Sequence, residues 1–212
     1  MQLKRLTIFI FCLLMLNILS VSAQKIQSWS SPVYINKPPF TRFSIIGFNF
    51  TDIQDTILQE WVAGEIREQF NQVENIYTFQ PDSSNIYQYD HWIAPVRQLK
   101  SDVIFTYSVA PVRTDKKRKQ KKYLPIIQRP YSISLWGYFT NQAKNFGFEY
   151  NKTETPISVE VNIYDQKTLQ LVFSAKSKSF TSAQPLPVVK KIIEKMILKA
   201  IRAQVINEER DH

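Results

Sequence analysis

The sequence predicts an α+β domain in two layers: an antiparallel-rich sheet of about five to six strands with two main helices on one face. Three observations predict it. Apolar and polar residues alternate through 103–109, 131–139, 157–164 and 169–175, the period of strands with one buried face. Helical periodicity replaces that alternation near each end, in 53–72 and 186–206. No internal repeat or shift in composition divides the chain, so the elements belong to one domain.

Residues 1–23 read as a secretory signal peptide. Lys4 and Arg5 precede an apolar stretch over 6–19, and Val21 and Ala23 place small residues at −3 and −1 of a cleavage site. The apolar stretch falls short of the ~20 residues that span a bilayer. Cleavage after Ala23 makes Gln24 the new N-terminus and leaves 189 of the 212 residues, enough for one sizeable core. The single cysteine, Cys12, departs with the leader. The remaining domain therefore has no disulfide, thiolate ligand or thiol nucleophile to draw on. An exported domain without disulfides points to a bacterial envelope compartment, periplasmic or associated with the outer membrane.

The mature chain begins with a polar, proline-bearing stretch, 24–42, expected to be an extended arm before the domain proper at 43–212. Residues 43–48 are rich in β-formers on both faces, as a mid-sheet strand requires. Thr51 and Gln54 have capping-box spacing, and Ile57, Leu58, Trp61, Val62, Ile66, Phe70 and Val73 then trace one face of a helix. A short strand is expected at 76–79, a turn at Pro81, a short helix at 94–100 and a strand at 103–109. In 131–139 the alternation predicts a strand with Ile133, Leu135 and Phe139 on one face and Trp136 and Tyr138 on the other. A hairpin follows. Keeping apolar residues opposite one another pairs Ile163 with Leu171, Val161 with Phe173 and Val159 with Ala175, around a three-residue loop of Gln166, Lys167 and Thr168. Val189, Ile192, Ile193, Met196, Ile197 and Ala200 make the stripe of the last helix, with Pro185 and Pro187 at its start.

The formal charge of +9 falls to +7 without Lys4 and Arg5, and one segment holds most of it. Arg113, Lys116, Lys117, Arg118, Lys119, Lys121 and Lys122 stand against the single acid Asp115, a net +6. The high pI therefore belongs to a loop and is no nucleic-acid signature of the whole domain. No aromatic residue interrupts the run before Tyr123, so base stacking is not indicated. These seven residues are the candidate contact for an anionic lipid or glycan surface.

Signals for chemistry are sparse. The mature chain has two histidines, His91 and His212, without metal-ligand spacing. Asp90-His91 would be half of a hydrolase site, but neither a nucleophile elbow nor a third partner is recognisable. Gly47, Gly64, Gly137 and Gly147 are too scattered for a phosphate loop. Asn49-Phe-Thr51 and Asn151-Lys-Thr153 match the glycosylation sequon, which acts only in a eukaryotic secretory route. No cofactor, metal or catalytic residue is expected.

Three segments carry a resemblance: Trp61-Val-Ala-Gly-Glu-Ile-Arg-Glu-Gln-Phe70, Ser101-Asp-Val-Ile-Phe-Thr-Tyr107, and the hairpin from Val159 to Ser174 with its Tyr164-Asp165 turn. Together they resemble small exported or lipid-anchored envelope proteins of Gram-negative bacteria that carry an α/β domain of uncharacterised function. The chain departs from lipid-anchored members in having no lipobox cysteine. The resemblance implies location and fold, and supplies no catalytic residues. The expectation is an exported, non-enzymatic binding or assembly-accessory domain. Its partner would be another envelope protein or an anionic surface met through 113–122. The alternatives are a membrane-surface or anionic-glycan binder acting through that run, and a hydrolase around Asp90-His91.

Overall fold

The computed structural model describes residues 25–34, 40–49, 55–70, 72–79, 89–112, 134–143 and 155–203. The strands are β1 (Ile26–Ser30), β2 (Arg42–Asn49), β3 (Asn75–Phe79), β4 (Val103–Pro111), β5 (Ile157–Asp165) and β6 (Leu171–Ser177). The helices are α1 (Asp55–Gln69), α2 (Tyr89–Gln98), α3 (Leu135–Ala143) and α4 (Pro185–Arg202). The sheet runs β1-β6-β5-β4-β2-β3. Its first four strands are antiparallel, while β4, β2 and β3 are mutually parallel. The expected α+β class and strand number are found, with a parallel half beside the antiparallel one. Part of the segment expected to be an extended arm supplies β1, the edge strand beside β6.

Burial follows the pleat. Phe43 and Ile45 of β2, Phe105 and Tyr107 of β4, and Val161 and Ile163 of β5 point to the front face. There they meet the α1 stripe of Leu58, Val62 and Ile66 and the α4 stripe of Ile192, Ile193, Met196 and Ile197, all fully buried. Lys190 of α4 lies 5.4 Å from the Trp61 ring of α1, tying the two helices at their rim. The periodicity that predicted both helices thus reports their packing on one face of the sheet.

The back face is covered as well, by α2 and α3, and connection handedness explains α2. From β2 through α1 the chain moves to β3 on one side, and through α2 it returns to β4 on the other side of β2. Crossovers between parallel strands keep one hand, so reversing direction across the sheet moves the connecting helix to the opposite face. Val96 of α2 accordingly joins Ile46, Phe48, Ile104, Tyr164 and Leu171 in the back core. Covered on both sides, β4 is buried along all nine residues.

Two expectations are corrected here. Of the strand expected at 131–139, residues 131–133 lie outside the described residues, Ser134 makes an isolated bridge to Gln170, and 135–139 instead begin α3. Ser134 Oγ accepts from the Gly137 N–H (3.3 Å), an N-cap interaction, and the Leu135 N–H donates to Leu169 O (3.1 Å). Leu135, Tyr138, Phe139 and Gln142 then form one buried helical stripe. Trp136 and Tyr138, expected to share a face, separate: Trp136 is 45% exposed and Tyr138 is 1% exposed. Phe48 packs edge-on against both Tyr138 and Phe139.

The hairpin is the second correction. Its register is Ile163 with Phe173 and Val161 with Ala175, two residues from the expected pairing. The loop has four residues, 166–169, closed by the Asp165 N–H to Gln170 O (3.0 Å) and the Leu169 N–H to Asp165 O (2.8 Å). Asp165 Oδ1 organises it, accepting from the Lys167 and Thr168 N–H groups and the Thr168 hydroxyl. An even loop would turn the apolar residues of β6 to the wrong face. A bulge at Val172, between the Tyr164–Leu171 and Ile163–Phe173 pairs, restores the parity, and Val172 and Phe173 both enter the front core. Leu169 has φ 55°, a left-handed conformation costing a branched side chain about 1–2 kcal/mol. Burial of Leu169 in the back core offsets it, at about 1.5–3 kcal/mol for a leucine.

Candidate functional site

Polar residues accumulate where the back face leaves the cover of the aromatic side chains of α3. In register across the strands, Ser108 of β4, Glu160 of β5, Lys176 of β6 and Gln27 of β1 form one row. Thr106, Asn162, Ser174 and Trp29 form the next row. Pleat alternation puts both rows on the same face as the aromatic cluster, so the back face is divided into an apolar and a polar half. Lys176 Nζ lies 3.2 Å from Glu160 Oε2, and Asn162 Nδ2 donates to Glu160 Oε1 at 3.0 Å. Glu160 is thus held on both oxygens.

Above this half lies a cleft of about 460 Å³. Its floor and walls come from the end of β4 (Ser108, Ala110, Pro111 and the following Val112), the start of β5 (Ser158, Glu160) and the end of β6 (Lys176, Ser177) with Ser179. Asn141 and Gln142 of α3 contribute the remaining wall. The strands part here for a reason visible in the ladder. Glu160 pairs with Lys176 but Ile157 bridges to Phe180, leaving one more residue on the β6 side than on the β5 side between the two pairs. Ser177 Oγ accepts from the Val159 N–H (3.0 Å) and closes the gap from within the ladder.

Beside the cleft, two buried polar atoms lack a well-formed hydrogen bond among the described residues: Tyr138 Oη, facing Thr106 and Ser108, and Asn162 Oδ1. Burial, with the Glu160 charge and Tyr164 adding to it, pushes the Tyr138 phenol well above its ordinary pKa, so it stays protonated. Buried groups left short of partners are uncommon in stable domains. Both lie on this half of the back face, beside Glu160.

The sequence candidates fall elsewhere. The basic run 113–122 lies outside the described residues, although Val112, in the cleft wall, immediately precedes Arg113. Asp90 and His91 fall in the first turn of α2, and their side chains lie outside the described residues. Among the described residues no group of three or more His, Cys, Asp or Glu is placed to hold a metal ion. Also among them, no helix is long and apolar enough to cross a membrane. The apolar stripe of α4, which alone would also suit a membrane surface, is packed in the front core. None of the cleft residues stood out in the sequence. Ser158 and Glu160 read as the solvent side of a half-buried strand, and only their placement beside Ser108 and Lys176 reveals a shared wall.

Fold and site together define a mixed-sheet α+β domain with a polar cleft over β4, β5 and β6 of its antiparallel half. Among solved structures, the chain is similar to the PelC dodecamer protein of Paraburkholderia phytofirmans. A point variant of that protein matches with TM-score 0.46 and 13% identity over 87% of this chain and 99% of that one. A second PelC dodecamer structure matches with TM-score 0.41 and 10% identity over the same shares. A PDZ domain protein from Parabacteroides distasonis matches with TM-score 0.41 and 11% identity, over 82% of this chain but only 34% of that protein. No protein-family profile and no curated protein sequence matches the chain.

Proposed function

We propose that this chain is an exported cell-envelope protein, periplasmic or associated with the outer membrane, that acts by binding, as a partner-binding or assembly-accessory domain. The cleft is the observation that carries this reading. Among the described residues lining it, the charged ones, Glu160 and Lys176, are committed to each other, and the remaining polar groups are hydroxyls and amides. Groups of that kind hold and orient a ligand, whereas hydrolysis needs a free base beside a nucleophile. The leader at 1–23 supports export, and the resemblance of 61–70, 101–107 and 159–174 to Gram-negative envelope proteins supports the compartment.

A second mode of binding draws on the basic run. Arg113, Lys116, Lys117, Arg118, Lys119, Lys121 and Lys122 begin one residue beyond the cleft wall and carry a net +6 with Asp115. Near an anionic lipid surface each such charge contributes roughly 1 kcal/mol.

The test uses residues 24–212 as bait against separated envelope fractions at low salt, beside a variant with the seven basic residues changed to glutamine. Saturable recovery of one partner or lipid class is expected, with the variant reporting how much is electrostatic. Recovery of nothing from any fraction would overturn the binding role. Mass spectrometry of the cellular product should show Gln24 at the N-terminus; intact Met1 on cytosolic material would overturn export.

A further inference from the structure

We infer that the cleft between β4, β5, β6 and α3 is a site for a neutral, hydroxyl-rich ligand, a sugar unit of a saccharide. The inference rests on the binding role proposed above and names the chemistry of its ligand.

Charge comes first. Among the described residues lining the cleft, Glu160 and Lys176 are the ones that ionise, and at 3.2 Å they neutralise each other. A cleft for a phosphate or a carboxylate would present an excess of positive donors, and one for a cation an excess of carboxylate. Breaking the existing pair to serve either ion would strand the other partner in a partly buried position, where Glu160 is only 19% exposed.

Hydrogen-bonding capacity comes next. Ser158 and Ser179 offer hydroxyls, and Asn141 offers an amide. A hydroxyl both donates and accepts, and an amide has two donors and an acceptor. Such a set matches ligand hydroxyls, which also do both, better than it matches an ion that only accepts or only donates. The same wall carries Ala110, Pro111 and Val112, a short apolar strip on which the C–H face of a sugar ring can rest. The volume of about 460 Å³ lies within the range of small-ligand pockets, roughly 300–1,000 Å³.

The position supports the same assignment. The cleft is built on strand ends and a helix, over Ser108 and Gln142, each 3% exposed, so its lining is held in place before any ligand arrives. Preorganised donors lose little freedom on binding.

The experiment follows backbone amide shifts of isotope-labelled residues 24–212 by NMR during titration with cellobiose, maltose and N,N′-diacetylchitobiose. Glucuronic acid and inorganic phosphate serve as the charged probes. A neutral saccharide is expected to give saturable shifts confined to amides near Ser108, Asn141, Ser158 and Lys176. Asn141→Ala, at an exposed helix position, and Ser158→Ala should each weaken binding roughly threefold to tenfold. An unchanged spectrum elsewhere shows that each variant is folded. Saturable shifts at the cleft from phosphate or glucuronic acid alone would overturn the neutral class while leaving a binding cleft. Absence of shifts from every neutral saccharide overturns the inference, and the binding role then stands or falls separately on recovery of a partner from envelope fractions.

Discussion

Replacing Phe173 with alanine is expected to lower the stability of the domain by about 3–5 kcal/mol. The ring is fully buried in the front core, on a strand hydrogen-bonded on both sides, opposite Ile163 of β5 and Ser30 of β1. The neighbouring bulge at Val172 fixes the local backbone, so the cavity left by the ring has little scope to collapse. Domains of this size have a net stability of only about 5–15 kcal/mol, so the loss is a large share of the whole. Urea unfolding followed by tryptophan fluorescence would show the midpoint fall with an unchanged slope. Val33→Ala, at a side chain 69% exposed, should shift stability by no more than about 0.5 kcal/mol and serves as the control. Equal midpoints for the two variants would contradict the placement of Phe173.

Asp102→Ala should be the next most damaging change away from the apolar core, at about 2–3 kcal/mol. One carboxylate secures the start of the parallel half. Its Oδ2 accepts from the N–H groups of Thr41 (3.1 Å) and Arg42 (3.0 Å) and from the Thr41 hydroxyl, and its Oδ1 from Arg42 Nη2 (2.6 Å). Water can replace part of this, since the side chain is 24% exposed, so the loss falls below that of a fully buried pair. Burial raises the Asp102 pKa, but the Arg42 hydrogen bond and the two N–H donors outweigh it, so the group sits below the ordinary carboxylate range.

The sign of the pH dependence follows. A depressed carboxylate contributes fully above its unfolded value of ~3.9 and loses that contribution as pH falls through the lower folded value. The stability difference between wild type and Asp102→Ala should therefore be largest near neutrality and shrink in acid. A constant difference from pH 7 to pH 2 would show that the charge is not its source. Glu65 on α1 works in the opposite direction. Burial foremost, with Glu194 and Glu68 nearby, lifts its pKa, so its contribution is greatest below its unfolded value and fades as pH rises through the folded one.

Much of the fold was legible because apolar periodicity and burial coincide. In α1, α4, β2 and β4 the residues that repeat are with one exception the ones that pack: Ile57, read as part of the α1 stripe, is 42% exposed. Legibility failed where two periods fit the same residues. Leu135 and Phe139 are compatible with a strand, yet Leu135, Tyr138, Phe139 and Gln142 also have helical spacing. Ser134, placed to cap Gly137, was the local signal that favoured the helix. In the hairpin, apolar matching fixed the faces but not the register, because a four-residue loop plus one bulged residue preserves parity just as a three-residue loop does.

The cleft was illegible for a different reason. Its residues come from 108–112, 141–142, 158–160 and 176–179, and each polar side chain taken alone looks like an ordinary solvent contact. What makes them a site is strand order. Because β5 lies between β4 and β6, the sheet sets Ser108, Glu160 and Lys176 in one line. That order depends on long-range pairing, for which one sequence offers no local signal.

The clasp formed by Asp102 also bears on how the molecule assembles. The β5–β6 hairpin closes over four residues, whereas joining Asp102 to Arg42 closes a loop of sixty. The entropy of closure grows with the logarithm of loop length, so the longer loop costs roughly 2 kcal/mol more before any contact rewards it. The β5–β6 hairpin is thus expected to form a nucleus to which the longer-range pairing of β2 with β4 is added late. Pulse-labelled hydrogen exchange during refolding should protect the Val161 and Phe173 amides before that of Ile45, and simultaneous protection would refute a stepwise order.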